Sequence, residues 1–406
     1  MTAAADTLLA GLVKSGEGQS EAILRAPGVW ESRGVGNSYL ATTPEGDVLV
    51  NAGTLNDGKR GYGLFRKVSQ APVRYIVLTQ SHSNQYGAVE VFKGPETQLV
   101  THRLYPEGRA YAAALRPYYR RRGMKLWASI GGEGAAAQPT REFVPDVLVD
   151  ERFAFALGGR RFEAIYTPGG ETRDAMVVWM PDEKIAIVGN LFGPIFGHQP
   201  NLNTIRGDKP RWALQYIESA KRVRELGAEL LLTGHEAIEG GEAIRAGITK
   251  LIDSVQWLHD ATVAGMNAGK HLHALMREVR PPPELVLGEG HGKAAWNVRA
   301  IWAEYTGWFD YDYTSALYDT PRSAVSGDLA DLAGGAGRLA ARARDRLAAG
   351  EPVEAMHLLE IALEADPDNA EARAAKRDAL SILLDRAAGI NLSETMWLRS
   401  ELAALD

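Results

Sequence analysis

Short apolar runs of strand length alternate with helical periods from about residue 37 to about residue 245, and then cease. Ser38-Tyr-Leu-Ala-Thr42 and Val48-Leu-Val-Asn51 flank Pro-Glu-Gly-Asp, which reads as a hairpin closed by a glycine-containing turn. Arg74-Tyr-Ile-Val-Leu-Thr79 and Gln98-Leu-Val-Thr101 are nearly continuous apolar runs, suited to strands buried on both faces. Further strands are expected at Phe162–Tyr166, Ala175–Met180, Lys184–Val188 and Glu229–Thr233. The alternation predicts an α/β domain with its sheet buried under helices.

One helix can be placed in detail. Asp208 can cap it, Pro210 suits its first turn, and Trp212, Tyr216, Ala220 and Val223 make an apolar stripe running to Leu226. Beyond Asp319-Thr-Pro-Arg322 the chain turns rich in Ala, Leu, Arg and Glu. Ala348-Ala-Gly-Glu-Pro-Val-Glu-Ala355, Leu358-Leu-Glu-Ile-Ala362 and Asp366-Pro-Asp-Asn-Ala-Glu-Ala372 resemble one tetratricopeptide unit. A single copy predicts a helical hairpin and not a solenoid.

Met1 to Ser20 has no basic leading segment and no long apolar core, so a secretory signal is not expected. No stretch approaches the roughly 20 apolar residues of a membrane span. A cytoplasmic location is the resulting expectation. Asp and Glu outnumber Lys and Arg by 51 to 45, a net charge of -6, so no domain-wide positive field recruits nucleic acid. The expected partner is a small-molecule substrate. Cysteine is absent, which leaves nine histidines and the carboxylates as the strong candidate metal ligands.

The segment Leu78-Thr-Gln-Ser-His-Ser-Asn-Gln-Tyr-Gly87 follows a buried strand. In spacing it resembles the Thr-His-x-His-x-Asp-His-x-Gly signature of the metallo-β-lactamase superfamily. Other landmarks follow in order: Val50-Asn-Ala-Gly-Thr54, Thr167-Pro-Gly-Gly-Glu171 and Thr233-Gly-His235. Thr167-Pro-Gly-Gly-Glu171 and Asn201-Leu-Asn-Thr-Ile-Arg-Gly207 are similar to motifs of the alkylsulfatase branch, as is Ala300-Ile-Trp-Ala-Glu-Tyr-Thr-Gly-Trp-Phe309 to the segment entering its dimerisation domain. The resemblance runs from about residue 30 to about residue 400 and leaves out a sterol-carrier-like domain of that branch. It implies an αββα sandwich over residues 1–247 and an all-α dimerisation domain over 248–406, with the tetratricopeptide-like hairpin inside it and a homodimer as the assembly.

The departures carry more information than the matches. Where the resembled family places ligands of a first metal stand Gln80, His82 and Glu171; for a second metal stand Asn84, Gln85 and His235. A bridging acid falls near Gly189, which has no ligand atom. Two divalent ions bring four positive charges, against one carboxylate and two neutral imidazoles, and amides are weak zinc ligands. A dinuclear centre is therefore not expected. A single divalent ion held by His82, Glu171 and His235 remains open by ligand type, although the resemblance places His235 toward the second site.

Without metal the same residues offer acid–base chemistry. His82, oriented by Glu171, and His235 are the expected proton-transfer groups, while Gln80, Asn84 and Gln85 hold polar groups or a water. Asn201, Thr204 and Arg206 stand where the resembled branch contacts sulfate, and Arg206 suits an anion; a plain structural loop before the Asp208 helix is the alternative. Three readings follow: a C–O-cleaving enzyme, lyase or hydrolase, without a dinuclear metal; a metal-dependent alkyl sulfate hydrolase with unusual ligands; and a non-catalytic ligand-binding protein.

Other features weigh less. Tyr105, Tyr111, Tyr118 and Tyr119 with Trp127 form an aromatic insertion that either covers an apolar substrate or packs on the domain. Arg120-Arg-Arg122 reads as a solvated helix end. His271 and His273 diverge on a helical pattern. Of the loop histidines, His198 is expected nearer the site than His291.

Overall fold

The computed structural model describes residues 8–131, 142–309, 313–387 and 389–405, with side chains of 127–131 outside that description. By compactness the chain divides into two units, with the boundary between Tyr305 and Thr306.

Among the described residues the first unit holds thirteen strands: β1 (Ile23–Ala26), β2 (Val29–Ser32), β3 (Ser38–Thr43), β4 (Gly46–Val50), β5 (Val73–Val77), β6 (Gln98–His102), β7 (Val147–Val149), β8 (Arg152–Leu157), β9 (Arg160–Tyr166), β10 (Met176–Met180), β11 (Ile185–Gly189), β12 (Leu230–Thr233) and β13 (Ala237–Glu239). One sheet runs β1 to β7 in sequence order; the other runs β13-β12-β11-β10-β9-β8. The pairs β4–β5, β5–β6 and β11–β12 are parallel, and helical or irregular crossovers join them.

Strand alternation sorts the side chains into layers. Val48 and Val50 point between the sheets with Met176, Val178 and Met180, while Leu49 points the other way, onto Phe65, Ala88 and Phe92. Val177 and Trp179 likewise face Tyr216, Ile217 and Ile248 on the far side. Each core strand is covered on both faces, which is why its sequence reads as an apolar run and not as an alternation. The result is the four-layered αββα sandwich that the sequence predicts, with strands β1, β2, β7, β8 and β13 beyond those expected.

Two boundaries differ from expectation. The long helix Gly241–Asn267 and the helix Ala294–Thr306 contribute Ile248, Leu251, Val255, Val298 and Ile301 to the core beneath β10 to β12, so compactness carries the first unit well past residue 247. The helix expected from Asp208 begins at Ala213, with Trp212 at its N-cap. Asp208 is held elsewhere.

The second unit is helical: Ser326–Ala333, Ala336–Ala348, Pro352–Ala365, Ala370–Ala387 and Leu392–Ala403. Its core is built on Ala340, Ala343, Ala355, Ala362, Ala375 and Ala379 around Leu359. Small residues at the crossings let helix axes approach closely. Asn369 accepts the Ala372 N–H at 3.0 Å at the turn of the expected hairpin, which the helices 352–365 and 370–387 form.

Candidate active site

The loops after β5, β9, β11 and β12 carry the candidate residues. Asn51, left-handed at φ 61°, ends β4 and accepts the Thr79 N–H at 2.9 Å, which fixes the turn leading into Gln80 and His82. His82 sits at the N-cap position of the short helix Ser83–Tyr86, and its side chain is 24% exposed. Gln80 Nε2 donates to His82 Nδ1 at 3.0 Å, which leaves the ring proton on Nε2 to be donated to Asp208 Oδ2 at 2.9 Å. Glu171 is not the orienting partner: its Oε1 lies 3.9 Å from Nδ1. Asp208 supplies the carboxylate that the sequence reading assigned to Glu171.

Glu171 is occupied by cations. Its Oε1 is 3.2 Å from Arg206 Nη2 and 3.9 Å from Arg211 Nη2, and the same two guanidiniums stand 3.6 and 3.5 Å from Asp208 Oδ2. Burial works to raise the Glu171 carboxyl, but Arg211 and Arg206 overcome it and hold it well below the usual carboxylate range. Asp208 is likewise raised by burial and brought down further by the hydrogen bond and charge of His82, then by the arginines. The cluster is a quartet of two carboxylates and two guanidiniums with charge balanced inside it, Glu171 and Arg211 buried and Arg206 and Asp208 partly exposed to solvent.

The other histidines differ. His235 is fully buried after β12, its backbone N–H bonded to Thr233 Oγ1 at 3.1 Å and its Nδ1 without a hydrogen-bond partner. Desolvation brings it down to about 4, so it is neutral at neutral pH. His291 is also buried and lowered to about 4 by desolvation; its Nε2 meets Asn201 Nδ2 at 3.3 Å. The ranking of the loop histidines is thus reversed, because His198 Nδ1 accepts the Gly290 N–H at 3.0 Å and serves to hold the 288–292 loop.

A cavity of about 190 Å³ opens beside His82. Its lining includes Tyr111, Tyr119, Asp174, Arg206, Asp208 and Lys209. Asp174 takes the Ser81 hydroxyl at 3.0 Å on Oδ1, its Oδ2 is buried without a partner, and burial raises its pKa. Tyr111 and Tyr119 come from the expected aromatic insertion, with hydroxyls 2.9 Å apart; the Trp127 side chain lies outside the described residues.

Of the nine residues expected in the site, His82 and Arg206 line this cavity. Gln80 and Glu171 support them from behind. Asn84 Nδ2 instead donates to the Val35 carbonyl at 3.4 Å, and Asn201 turns to His291. The Gln85 amide and Thr204 hydroxyl are buried without partners. Asp208, Arg211 and Asp174 are the residues that the sequence reading missed. The run Arg206-Gly-Asp-Lys-Pro-Arg211, with four charges in six residues beside a matched motif, is the signal that pointed to two of them.

The resembled fold implies metal, and the residues present do not fit one. Among the described residues, no three His, Asp or Glu side chains stand together as a metal ligand set, including His82, Glu171 and His235. The one acid among those three is paired with two guanidiniums. Unit charges 4 Å apart at an effective dielectric of 20 repel by about 4 kcal/mol, and a divalent ion beside each guanidinium doubles that. At Gly189 (φ 53°) an added Cβ would collide with Thr79 Oγ1, so no side chain fits there; the next residue is Asn190, an amide.

Residues 32–235 match the family model described as the metallo-beta-lactamase superfamily. The chain belongs to that superfamily. Residues 273–396 match alkyl sulfatase dimerisation. A linear primary-alkylsulfatase of Pseudomonas sp. is 25% identical over 367 residues, which cover 82% of this chain and 67% of the relative. The alkyl/aryl-sulfatase BDS1 of Saccharomyces cerevisiae is 26% identical over 366 residues, 83% of this chain and 56% of the relative. The chain thus spans about two thirds of the length of the first and little more than half of the second. The stereoselective inverting sec-alkylsulfatase Pisa1 from Pseudomonas sp. superposes with a TM-score of 0.84 at 20% identity, over 98% of this chain and 70% of that one, and shares the fold. No described helix is long and apolar enough to cross a membrane.

Proposed function

We propose that the first unit is an enzyme that cleaves a C–O-type bond in a small organic anion, a sulfate ester being the class its relatives suggest, by acid–base chemistry without a dinuclear metal centre. The observation that carries this is the His82 Nε2 to Asp208 Oδ2 contact of 2.9 Å at the wall of the cavity. Asp208 at 2.9 Å and Gln80 at 3.0 Å fix the orientation of the His82 ring at the cavity wall. The ring accepts a proton at Nδ1 as the Gln80 amide swings off it, and the amide oxygen then takes the new N–H.

The proton comes from an attacking water in hydrolysis or from the carbon next to the leaving group in elimination. Asp174, whose environment pushes its pKa up while that of Asp208 is pushed down, stands on the same cavity to protonate the departing oxygen. Arg206 and Lys209 face the substrate's negative charge, and the tyrosines its organic part. Glu171 and Arg211 keep Arg206 and Asp208 in place. His235, neutral and buried, acts as a hydrogen-bonding group of the interior rather than as an imidazolium acid.

Turnover of short primary and secondary alkyl sulfates by wild type, and its loss in His82→Ala and Asp208→Asn, tests the reading. Full turnover in His82→Ala refutes it. Product analysis in ¹⁸O-water separates hydrolysis at carbon, which yields a labelled alcohol, from elimination, which yields an alkene; label found in the sulfate would place the cleavage at the S–O bond and overturn the C–O assignment. Ligand binding without chemical change would make the protein a binding module. The match of residues 273–396 to a dimerisation family supports a homodimer, checked by light scattering.

A further inference from the structure

The loop that carries Arg206 and Asp208 is gripped from outside. Arg122, on the helix Arg116–Gly131, donates through Nε to the Arg206 carbonyl at 2.7 Å and through Nη2 to the Ile205 carbonyl at 2.5 Å. Its Nη1 donates to the Tyr118 hydroxyl at 3.0 Å. Gly207 lies directly beneath, at φ 87°, where an added Cβ would stand 3.3 Å from Tyr119 Cε1 and 3.5 Å from Arg122 Nε. A second tie runs beside the first: Lys209 Nζ lies 2.8 Å from Glu107 Oε1 and 4.9 Å from the centre of the Tyr111 ring.

From these contacts we infer that Arg122 is a positioning residue: it fixes the backbone of Ile205–Gly207 so that Asp208, one residue on, meets His82. Two carbonyls of consecutive residues bound by one planar fork define both the place and the orientation of a peptide unit, which a single flexible ammonium does not. Asp208 has no helix of its own to hold it, since the following helix starts at Ala213. The tie also joins the aromatic wall of the cavity to the acid–base pair, so that the helix contributing Tyr119 and the loop contributing Asp208 form one body. The solvated helix end that the sequence suggested for Arg120–Arg122 is, at Arg122, an internal clamp.

The test is the crystal structure of Arg122→Met, with Arg122→Lys as the variant that keeps the charge and reaches one carbonyl at a time, and Tyr118→Phe as the control that removes only the Nη1 contact. The expected result is a His82–Asp208 separation beyond hydrogen-bonding reach in Arg122→Met, a smaller displacement in Arg122→Lys, and the native separation in Tyr118→Phe, with both sheets superposing throughout. If Arg122→Met does not fold, the Lys variant carries the same structural test. The His82–Asp208 contact retained at its native length in every Arg122 variant that folds overturns the inference.

The kinetic arm alone rests on the proposed activity. With a short secondary alkyl sulfate, kcat should fall about 100-fold in Arg122→Met, the effect of a misplacement of roughly 1 Å, with KM changed by less than about 3-fold. A rise in KM at unchanged kcat would place Arg122 in binding and overturn the positioning role. A wild type that turns over no ester would defeat the proposed activity, and the crystallographic comparison would still decide the role of Arg122.

Discussion

The two histidines that survive from the family signature sit in opposite surroundings. His82 has both ring nitrogens bonded, two carboxylates within 4 Å and partial exposure to the cavity. His235 has a buried Nδ1 with no partner and is pushed down to about 4 by desolvation. The same side chain is thus bonded at both ring nitrogens beside two carboxylates in one place, and buried and neutral in the other. What separates them is the loop between β11 and the helix at 213, which brings Asp208, Arg206 and Arg211 to the His82 side.

The largest expected break in this comparison is His82→Ala, which should lower kcat by about 10² to 10⁴-fold, the usual contribution of a general base, measured by steady-state turnover of a short secondary alkyl sulfate. Next is Glu171→Gln. Removing one charge from the quartet leaves Arg206 and Arg211 facing Asp208 alone, and a loss of about 3 to 5 kcal/mol in unfolding free energy is expected from denaturant titration, as for a buried pair deprived of one partner.

A smaller effect distinguishes the histidines by pH. His102, His235 and His291 are all lowered to about 4, so the unfolded chain binds protons first as pH falls, and stability is lost between about pH 6.5 and pH 4. Glu171 and Asp208, held low, contribute stability that is present at neutral pH and lost at still lower pH, as the medium falls through their native values. His235→Gln should therefore flatten the decline between pH 7 and pH 5 by about 2 kcal/mol, read from melting curves across that range. An unchanged slope would mean that His235 is not held neutral by burial.

The layers of the sandwich were legible because β4, β5, β10, β11 and β12 are covered on both faces and read as apolar runs. Strands β1 and β8 were not: their exposed and half-buried positions carry Arg25, Arg152 and other polar or small residues, which blur the pattern. Motif spacing pointed to His82, Glu171, Arg206 and His235; His82 and Arg206 line the cavity, and the carboxylate at His82 Nε2 is Asp208 where Glu171 was expected. Asp208 followed by Pro210 is good helix-start chemistry, and local rules assign it there; the bond to His82, 126 residues away in sequence, overrides them. Arg211 was hidden for the same reason, since a buried guanidinium is intelligible only with its carboxylates in view. The choice of His198 over His291 rested on distance along the chain from Asn201, whereas the His291 ring reaches Asn201 across the fold.

In the proposed function, paired arginines and an Asp–His pair stand in this pocket in place of a dinuclear metal centre. Metal content and ester turnover are to be measured on the same purified protein before and after exhaustive dialysis against a chelator. Turnover unchanged by chelation and a metal content well below one equivalent throughout are expected. Two equivalents of zinc, with activity lost on chelation and regained when zinc is restored, would contradict that proposal.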